Sequence, residues 1–318
     1  MPIPKGPHLE FEQPVMELAV KIEDLLKTGG ITGSDVKELI AKKEALQQKT
    51  ASKLAAWNRV ELARRSGRPY TLDYIQNLFT DFVELHGDRA FGDDPALVAG
   101  LARLGDQSVV VMGHQKGRDT KESIRRNFGM AHPEGYRKAL RLMKLAEKFG
   151  LPVISFIDTP GAYPGVGAEE RGQAEAIARN LMEMAVLKTP ILVVVIGEGA
   201  SGGALGVGVG DRVLMLENAW FGVISPESCS AILWGDSTKK QDLSETMKIT
   251  AGDLLALKVI DRIVKEPPGG AHWDPETVYR SLKDILISEL EALRRVDLRE
   301  LTEKRAAKIA AMAQFAEG

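Results

Sequence analysis

Residues 190–211, PILVVVIGEGASGGALGVGVGD, constrain the fold more than any other stretch of the chain. The apolar run 190–196 carries three consecutive valines, which is typical of a strand buried on both faces of a parallel sheet. The run is predicted to break at Gly197, pass through a loop of small residues and enter a short helix near Ser201. Five glycines in 197–206 leave backbone amides open at a helix N-terminus, where negative charge is favoured. The stretch therefore indicates an anion or oxyanion site in an α/β fold.

Three chemistries fit these glycines. Gly197, Gly199 and Gly202 match the dinucleotide-binding fingerprint, although the helix that follows is too short for a standard βαβ unit. Gly199-x-Ser201-x-Gly203 matches the nucleophile elbow of a serine hydrolase, and a helix N-cap is the structural alternative for Ser201. The third chemistry is an oxyanion hole made by the N–H groups of Gly202 and Gly203, with no protein nucleophile.

A second stretch, residues 152–175, repeats the same design in the sequence PVISFIDTPGAYPGVGAEERGQAE. An apolar strand over 153–157 leads into a turn rich in glycine and proline, and a helix follows. Two such turns, each after a strand and separated by one helix, are predicted to lie side by side. The chain would then form a spiral of strand–strand–helix units.

At these motifs the chain resembles the alpha subunits of the acetyl-coenzyme A carboxylase carboxyltransferase of bacteria and plastids. The resemblance is carried by IDTPGAYPGVGAEERGQ, HQKGRDTKESIRRNFGM, PEGYRKALRLM and GEGASGGAL, and it runs from about residue 11 to about residue 275. It implies an α/β fold of the crotonase-like (ClpP/crotonase) type with an N-terminal helical hairpin. Ala200 stands where the family pattern suggests glycine. A left-handed backbone there would cost on the order of 1 kcal/mol.

The resemblance also implies a reaction and its partners. A carboxyl group would pass from carboxybiotin on a biotin carboxyl carrier protein to acetyl-coenzyme A, giving malonyl-coenzyme A in the first committed step of fatty acid synthesis. Activity would require a carboxyltransferase beta subunit in an alpha2beta2 heterotetramer, with biotin carboxylase in the larger complex. Biotin would not be attached to this chain, the second substrate would be a coenzyme A thioester, and zinc would belong to the beta subunit.

Site residues follow from the same resemblance. It implies that the ureido oxygen of carboxybiotin lies against the amides of Gly202 and Gly203, which are the predicted catalytic groups. Gly161, Ala162 and Ser201 are predicted to contact the cofactor. A scaffold that only positions the beta subunit, without catalysis, remains an alternative alongside the serine hydrolase.

A basic segment follows the second predicted strand. Five positive charges fall within eleven residues, 116–126, and ligands often meet an α/β sheet where a buried strand ends. Carboxybiotin and coenzyme A are both anionic, so contact with a ligand or partner is favoured over a solvated loop. The residues predicted to bind the cofactor here are Lys116, Arg118, Arg125 and Arg126.

The first 70 residues are predicted to form a helical region. Val15, Leu18 and Ile22 fall at helical spacing, and the charged segment 37–53 is either a solvated helix face or a grip on the partner subunit. Residues 71–318 are predicted to form the crotonase-like carboxyltransferase domain with C-terminal helices. This domain is expected to open with a helix from Leu72 to Leu85.

Composition excludes several classes of protein. The 318 residues carry 42 Lys and Arg against 44 Asp and Glu, and a net charge of −2 gives no reason to expect nucleic acid. Cys229 is the only cysteine, which excludes an intramolecular disulfide and a multi-cysteine zinc site, and no metal is predicted. No apolar stretch is long enough to span a bilayer, and the N-terminal residues lack the apolar core of a signal peptide. A cytoplasmic location without membrane contact is predicted.

Overall fold

The computed structural model describes residues 3–4, 6–28 and 33–312, and an eight-stranded mixed sheet forms its centre. The order across the sheet is β1-β2-β3-β4-β5-β6-β8, and β7 pairs with the last residues of β5. The first three strands are antiparallel, and all pairings from β3 onward are parallel. The strands are β1 (Thr80–Glu84), β2 (Leu97–Leu104), β3 (Gln107–His114), β4 (Val153–Thr159), β5 (Ile191–Ala200), β6 (Arg212–Leu216), β7 (Trp220–Gly222) and β8 (Arg262–Val264).

Fourteen α-helices pack around this sheet in the described ranges. None of these helices is both long and apolar enough to cross a membrane. The helices are α1 (Gln13–Thr28), α2 (Gly33–Ala51), α3 (Ala56–Ala63), α4 (Thr71–Leu78), α5 (Thr120–Arg125), α6 (Pro133–Phe149), α7 (Val166–Glu170), α8 (Gln173–Val186), α9 (Ser201–Leu205), α10 (Pro226–Trp234), α11 (Lys240–Thr246), α12 (Ala251–Ala256), α13 (Pro275–Arg294) and α14 (Leu298–Ala310).

Strands β4 and β5 lie in the middle of the sheet, and every residue of both is buried. Their Val- and Ile-rich sequences suit this position, because side chains on both faces of a parallel sheet are covered by helices. Since the two strands are parallel neighbours, their carboxyl ends lie at the same edge. The turns that follow them therefore meet there.

The N-terminal helical hairpin is confirmed, and it consists of α1 packed against α2. It is anchored on the main domain by a small cluster in which Val15, Met16 and Ala19 pack with Trp273. The next helix, α3, packs against β5 and β7. Contacts therefore cross residue 70, and the division into 1–70 and 71–318 stays a prediction.

The helix expected from Leu72 to Leu85 is wrong in its second half. The helix α4 ends at Leu78, and Thr80–Glu84 form β1, which pairs with β2. The amide of Leu85 donates to the carbonyl of Ala99 at 2.9 Å. A free edge of β2 offers unpaired backbone groups to this segment, and satisfying them outweighs local helix propensity.

Candidate functional site

The expected loop after β5 is absent from the described structure. The strand does not break at Gly197 but continues to Ala200, and α9 begins at once with Ser201. The last residues of β5 are held by two neighbours, since Gly199 pairs with Thr159 of β4 and with Phe221 of β7. Small residues allow this close pairing. The dinucleotide fingerprint is therefore wrong, because its first two glycines lie inside a strand rather than in a phosphate-binding turn.

Ala200 fits the turn without backbone strain. Its φ is −111° and its ψ is 135°, so the cost considered for a left-handed alanine does not arise. The residue with positive φ is Ser201, at +59°. Ala200 occupies the N-cap position of α9 and makes no side-chain cap, so the N-cap interpretation of Ser201 is also wrong.

The turn after β4 is stabilised by the side chain of Thr159. The hydroxyl of Thr159 donates to the carbonyl of Gly161 at 2.7 Å and accepts from the amide of Gly161 at 3.1 Å. Gly161 has φ +149°, a conformation that other residues rarely adopt. The amide of Tyr163 donates to the carbonyl of Ala131 at 3.0 Å. Residues 159–163 are thus fixed on the sheet edge.

The two turns touch, as predicted. A Cβ added to Gly203 would lie 2.4 Å from the N atom of Ala162 and 2.4 Å from the carbonyl carbon of Gly161. Only glycine allows this approach of two backbones. Gly202 is less confined, because a Cβ there would first meet Ile177 at 3.6 Å.

The start of α9 is suited to hold an anion. Gly202 and Gly203 lie in its first turn, where backbone N–H groups have no partner four residues earlier within the helix. A cleft of about 540 Å³ opens beside Ser201 and Gly202, and its walls are mostly apolar. Residues lining it include Ser201, Gly202, Leu205, Phe221, Val223 and Ile249.

A buried charge network lies behind the two turns. Nζ of Lys116 is 2.7 Å from Oδ1 of Asp158 and 2.7 Å from Oε2 of Glu198. The Nε of Arg64 is 2.6 Å from Oε1 of Glu198, and the same guanidinium pairs with Glu227. Burial disfavours the charge of Lys116, but Asp158 and Glu198 outweigh it and raise its pKa. Lys116 is therefore fully charged at neutral pH.

The other basic residues of the segment differ in their surroundings. Arg118 stacks on Tyr70 with 4.0 Å from guanidinium carbon to ring centroid, and it donates to the carbonyls of Ser66 and Arg68. Arg126 is buried and donates to the carbonyl of Pro95 and to Glu122. Arg125 ends α5 and is exposed. Binding of the cofactor by this segment stays a prediction.

The groups that a serine hydrolase requires are not assembled around Ser201 in the described residues. His272 is the only histidine after Ser201 in the chain, and its Nε2 lies 2.7 Å from Oε1 of Glu12. His114 is fully buried beside backbone groups of Gly203 and Phe156. Burial lowers its pKa to about 4, so it is neutral at physiological pH. Within the part of the chain that the structure describes, no hydrogen bond joins Ser201 to a histidine.

A family model described as acetyl co-enzyme A carboxylase carboxyltransferase-like matches residues 8–313. The chain belongs to this family. Three similar relatives carry the name acetyl-coenzyme A carboxylase carboxyl transferase subunit alpha, as the resemblance predicted. The protein of Chlorobaculum parvum is 57% identical and covers 96% of both chains. Those of Geobacter metallireducens and Thermus thermophilus are 56% and 54% identical, over 97% of this chain and 98% and 99% of their own.

Solved structures of a transcarboxylase and of a malonate decarboxylase share the fold at low identity. A transcarboxylase 12S with methylmalonyl-coenzyme A bound superposes with a TM-score of 0.55 and 20% identity, over 68% of this chain and 41% of that chain. A Pseudomonas malonate decarboxylase hetero-tetramer in complex with coenzyme A gives 0.55 and 15%, over 76% and 95%. The crotonase-like fold predicted for this family member is confirmed.

Sequence reasoning missed the acidic half of the charge network. Asp158 and Glu198 each interrupt an apolar strand shortly before a glycine turn, in IDTPG and in IGEGA. A charged residue in a strand that is buried on both faces requires a partner, and that requirement was the available signal. Arg64 had no comparable signal, because it follows the end of α3 and lies more than 90 residues before the turn after β4 in the sequence.

Proposed function

We propose that the chain is the alpha half of a carboxyltransferase that moves the carboxyl group of carboxybiotin to acetyl-coenzyme A, forming malonyl-coenzyme A. The observation that carries this is the pair of amides at Gly202 and Gly203 in the first turn of α9, where Ser201 and Gly202 line an apolar cleft. Family membership supplies the reaction class. Ser201 lines the cleft, and the backbone of Gly161 and Ala162 touches Gly203. These three residues are proposed to contact the biotin.

The amides would act on charge that develops during transfer. Loss of the carboxyl group from carboxybiotin leaves negative charge on the ureido oxygen, and two oriented N–H donors stabilise that oxygen. One such donor is typically worth roughly 3 kcal/mol in rate. The carboxyl donor brings its own reactive group, so no residue of this chain has to act as a nucleophile. The amides bind and orient the oxygen, and the apolar walls of the cleft keep water away from it.

A beta subunit would complete the site. The equivalent turn of that subunit is proposed to hold the enolate of acetyl-coenzyme A, and zinc is proposed to belong there. Apolar side chains at the cleft support a covering partner, since Val223 is 83% exposed and Leu257 is 54% exposed. An alpha2beta2 assembly, served by biotin carboxyl carrier protein and biotin carboxylase in the cytoplasm, is part of the proposal.

Arg118 and Arg125 are the exposed residues among the four ligand contacts predicted in the basic segment. Arg125 is exposed at the end of α5, whereas Lys116, Arg118 and Arg126 each contact groups of this chain. An exposed guanidinium can reach an anionic substrate or an acidic surface of a partner. We therefore propose Arg125 as the first candidate in this segment for contact with an anionic ligand or partner.

The test is reconstitution. The chain is mixed with a beta subunit and free biotin, and biotin-dependent decarboxylation of malonyl-coenzyme A is measured. Activity is expected from the mixture and not from either subunit alone, because each would hold only one of the two reacting anions. Acetyl-coenzyme A carboxylation by this chain, with beta absent by mass spectrometry, would refute the proposal.

The same preparation tests the serine hydrolase. A fluorophosphonate probe is expected to leave Ser201 unlabelled, and Ser201→Ala is expected to lower the carboxyltransferase rate by less than about tenfold, since its hydroxyl is not a nucleophile. Stoichiometric labelling of Ser201 would favour the hydrolase instead.

A further inference from the structure

Lys116 joins the ends of the two central strands. Asp158 is the next-to-last residue of β4, and Glu198 lies two residues before the end of β5. The ammonium of Lys116 is 2.7 Å from a carboxylate oxygen of each. Its side chain is 14% exposed, and the carboxylates are 2% and 6% exposed. All three charged groups are therefore largely shielded from bulk water.

The backbone ladder between β4 and β5 is interrupted at this point. Ile157 pairs with Val195, but Thr159 pairs with Gly199, so β5 contains two extra residues between these pairs. Side chains replace the missing backbone bonds. The amide of Glu198 donates to Oδ1 of Asp158 at 3.0 Å, and Arg68 donates to the carbonyl of Ile196 at 3.1 Å. The register of the two strand ends is thus set by charged side chains.

We propose that Lys116 is a positioning residue, which fixes the spacing between the turn at 161–162 and the turn at 202–203 by clamping Asp158 to Glu198. The inference rests on the proposed carboxyltransferase function. It differs from the ligand contact predicted for Lys116, because the ammonium is already bonded to two carboxylates of the chain.

Tight packing links the position of Asp158 to the amides of Gly202 and Gly203. Asp158 precedes Gly161 by three residues, and Gly203 touches the backbone of 161–162 with no room for a Cβ. A Cβ at Gly197 would lie 2.4 Å from Oδ1 of Asp158, so the carboxylate itself packs against β5. If the ends of β4 and β5 separated, the contact at Gly203 would open and the N–H groups would change direction.

Charge balance explains why a cation is needed here. Burial raises the pKa of Asp158, and Lys116 offsets this only in part. Burial opposes the charge of Glu198 as well, but Lys116 and Arg64 outweigh it and lower its pKa. Without Lys116, Asp158 would lose its ion-pair partner beside the carboxylate of Glu198, and one of the two carboxylates would be protonated more readily. The other ionisable groups that face this cluster are Arg64, Arg68, Tyr70, Tyr74, His114 and Glu266.

The experiment uses the assembled alpha and beta subunits and malonyl-coenzyme A decarboxylation with free biotin. Lys116→Met removes the charge and keeps the stem, and its kcat is expected to fall on the order of 10²-fold, as for a misplacement of about 1 Å. Its activity relative to wild type should rise as the pH is lowered, because protonation of one carboxyl removes the repulsion between Asp158 and Glu198.

A second variant distinguishes the clamp from simple loss of packing. In Lys116→Met with Asp158→Asn, the amide can still accept from the Glu198 N–H and can donate to its carboxylate. The double variant is expected to recover to within about tenfold of wild type and to lose the pH dependence. Lys116→Arg keeps the charge and should stay closer to wild type than Lys116→Met. The matched control is Lys138→Met, because Lys138 is also buried and paired, with Asp93, in a separate network; it should lower stability without lowering kcat of the folded enzyme.

The outcomes separate the inference from the proposed function. Wild-type subunits without biotin-dependent activity would defeat the proposed function itself. Active wild type together with an unimpaired Lys116→Met would overturn only the clamp. The clamp would also be overturned if Lys116→Met lost the same share of kcat at every pH and the added Asp158→Asn did not restore it. If Lys116→Met does not fold, Lys116→Arg and the double variant still test the clamp. The clamp requires both of them to fold and to be active.

Discussion

Replacing Gly203 with alanine tests the contact that brings the two turns together. The new Cβ would lie 2.4 Å from the N atom of Ala162, whereas ordinary contacts of a Cβ begin at 3.4 Å. One turn must therefore retreat by about 1 Å, which is the kind of strain that overpacking produces. Both clashing atoms belong to the backbone, so no change of rotamer relieves the contact.

The expected effect follows from that displacement. A misplacement of about 1 Å costs on the order of 10²-fold in rate, equal to about 2.7 kcal/mol in activation free energy. Overpacking lowers the free energy of unfolding by about 1–3 kcal/mol as well. The kcat is expected to carry the loss, since the amides of Gly202 and Gly203 are proposed to act on charge that develops in the transition state.

The assay is biotin-dependent malonyl-coenzyme A decarboxylation by the reconstituted subunits, with assembly checked by gel filtration and stability by thermal unfolding. Gly92→Ala is the matched control, because nothing lies within 4 Å of a Cβ there. Gly202→Ala should fold as well as wild type, since its Cβ only reaches Ile177. A Gly203→Ala variant with the kcat and stability of Gly92→Ala would refute the reasoning.

Two further predictions concern charge. Arg125→Gln is expected to raise KM more than it lowers kcat. The rise in KM should be smaller at high salt, because an exposed charge is screened over about 10 Å. Unchanged KM and unchanged assembly would show that Arg125 is a solvated surface group. Arg126→Gln, by contrast, should cost about 1–3 kcal/mol of stability, because the carbonyl of Pro95 loses a buried donor. His114→Leu tests the pKa of a buried imidazole. Burial lowers that pKa from 6.5 to about 4. The free energy of unfolding of wild type is therefore unaffected by this group above pH 6.5, and it decreases as the pH falls from 6.5 to about 4, because only the unfolded chain takes up the proton. The variant should therefore gain about 3 kcal/mol relative to wild type between these pH values, measured by denaturant unfolding at each pH. A constant difference would mean that His114 is not buried as the neutral form.

The sequence alone determined the strands and the glycine turns that make the site. The apolar runs of β4 and β5, each followed by glycines, predicted parallel strands whose turns meet at one edge of the sheet. These features depend on local composition and periodicity, so they can be predicted without knowing the neighbours. The family resemblance rested on the same motifs.

Only the tertiary structure decided where β5 ends and which residues lie behind the turns. The loop expected after Gly197 became strand because Thr159 and Phe221, distant in sequence, supply its hydrogen-bonding neighbours. Lys116, which resembles a ligand-binding residue in a basic segment, is bonded to Asp158 and Glu198 because three separate strand ends converge on one buried point. Pairing and burial of charge depend on atoms brought together by the whole fold, and neither is encoded in the spacing of any single segment.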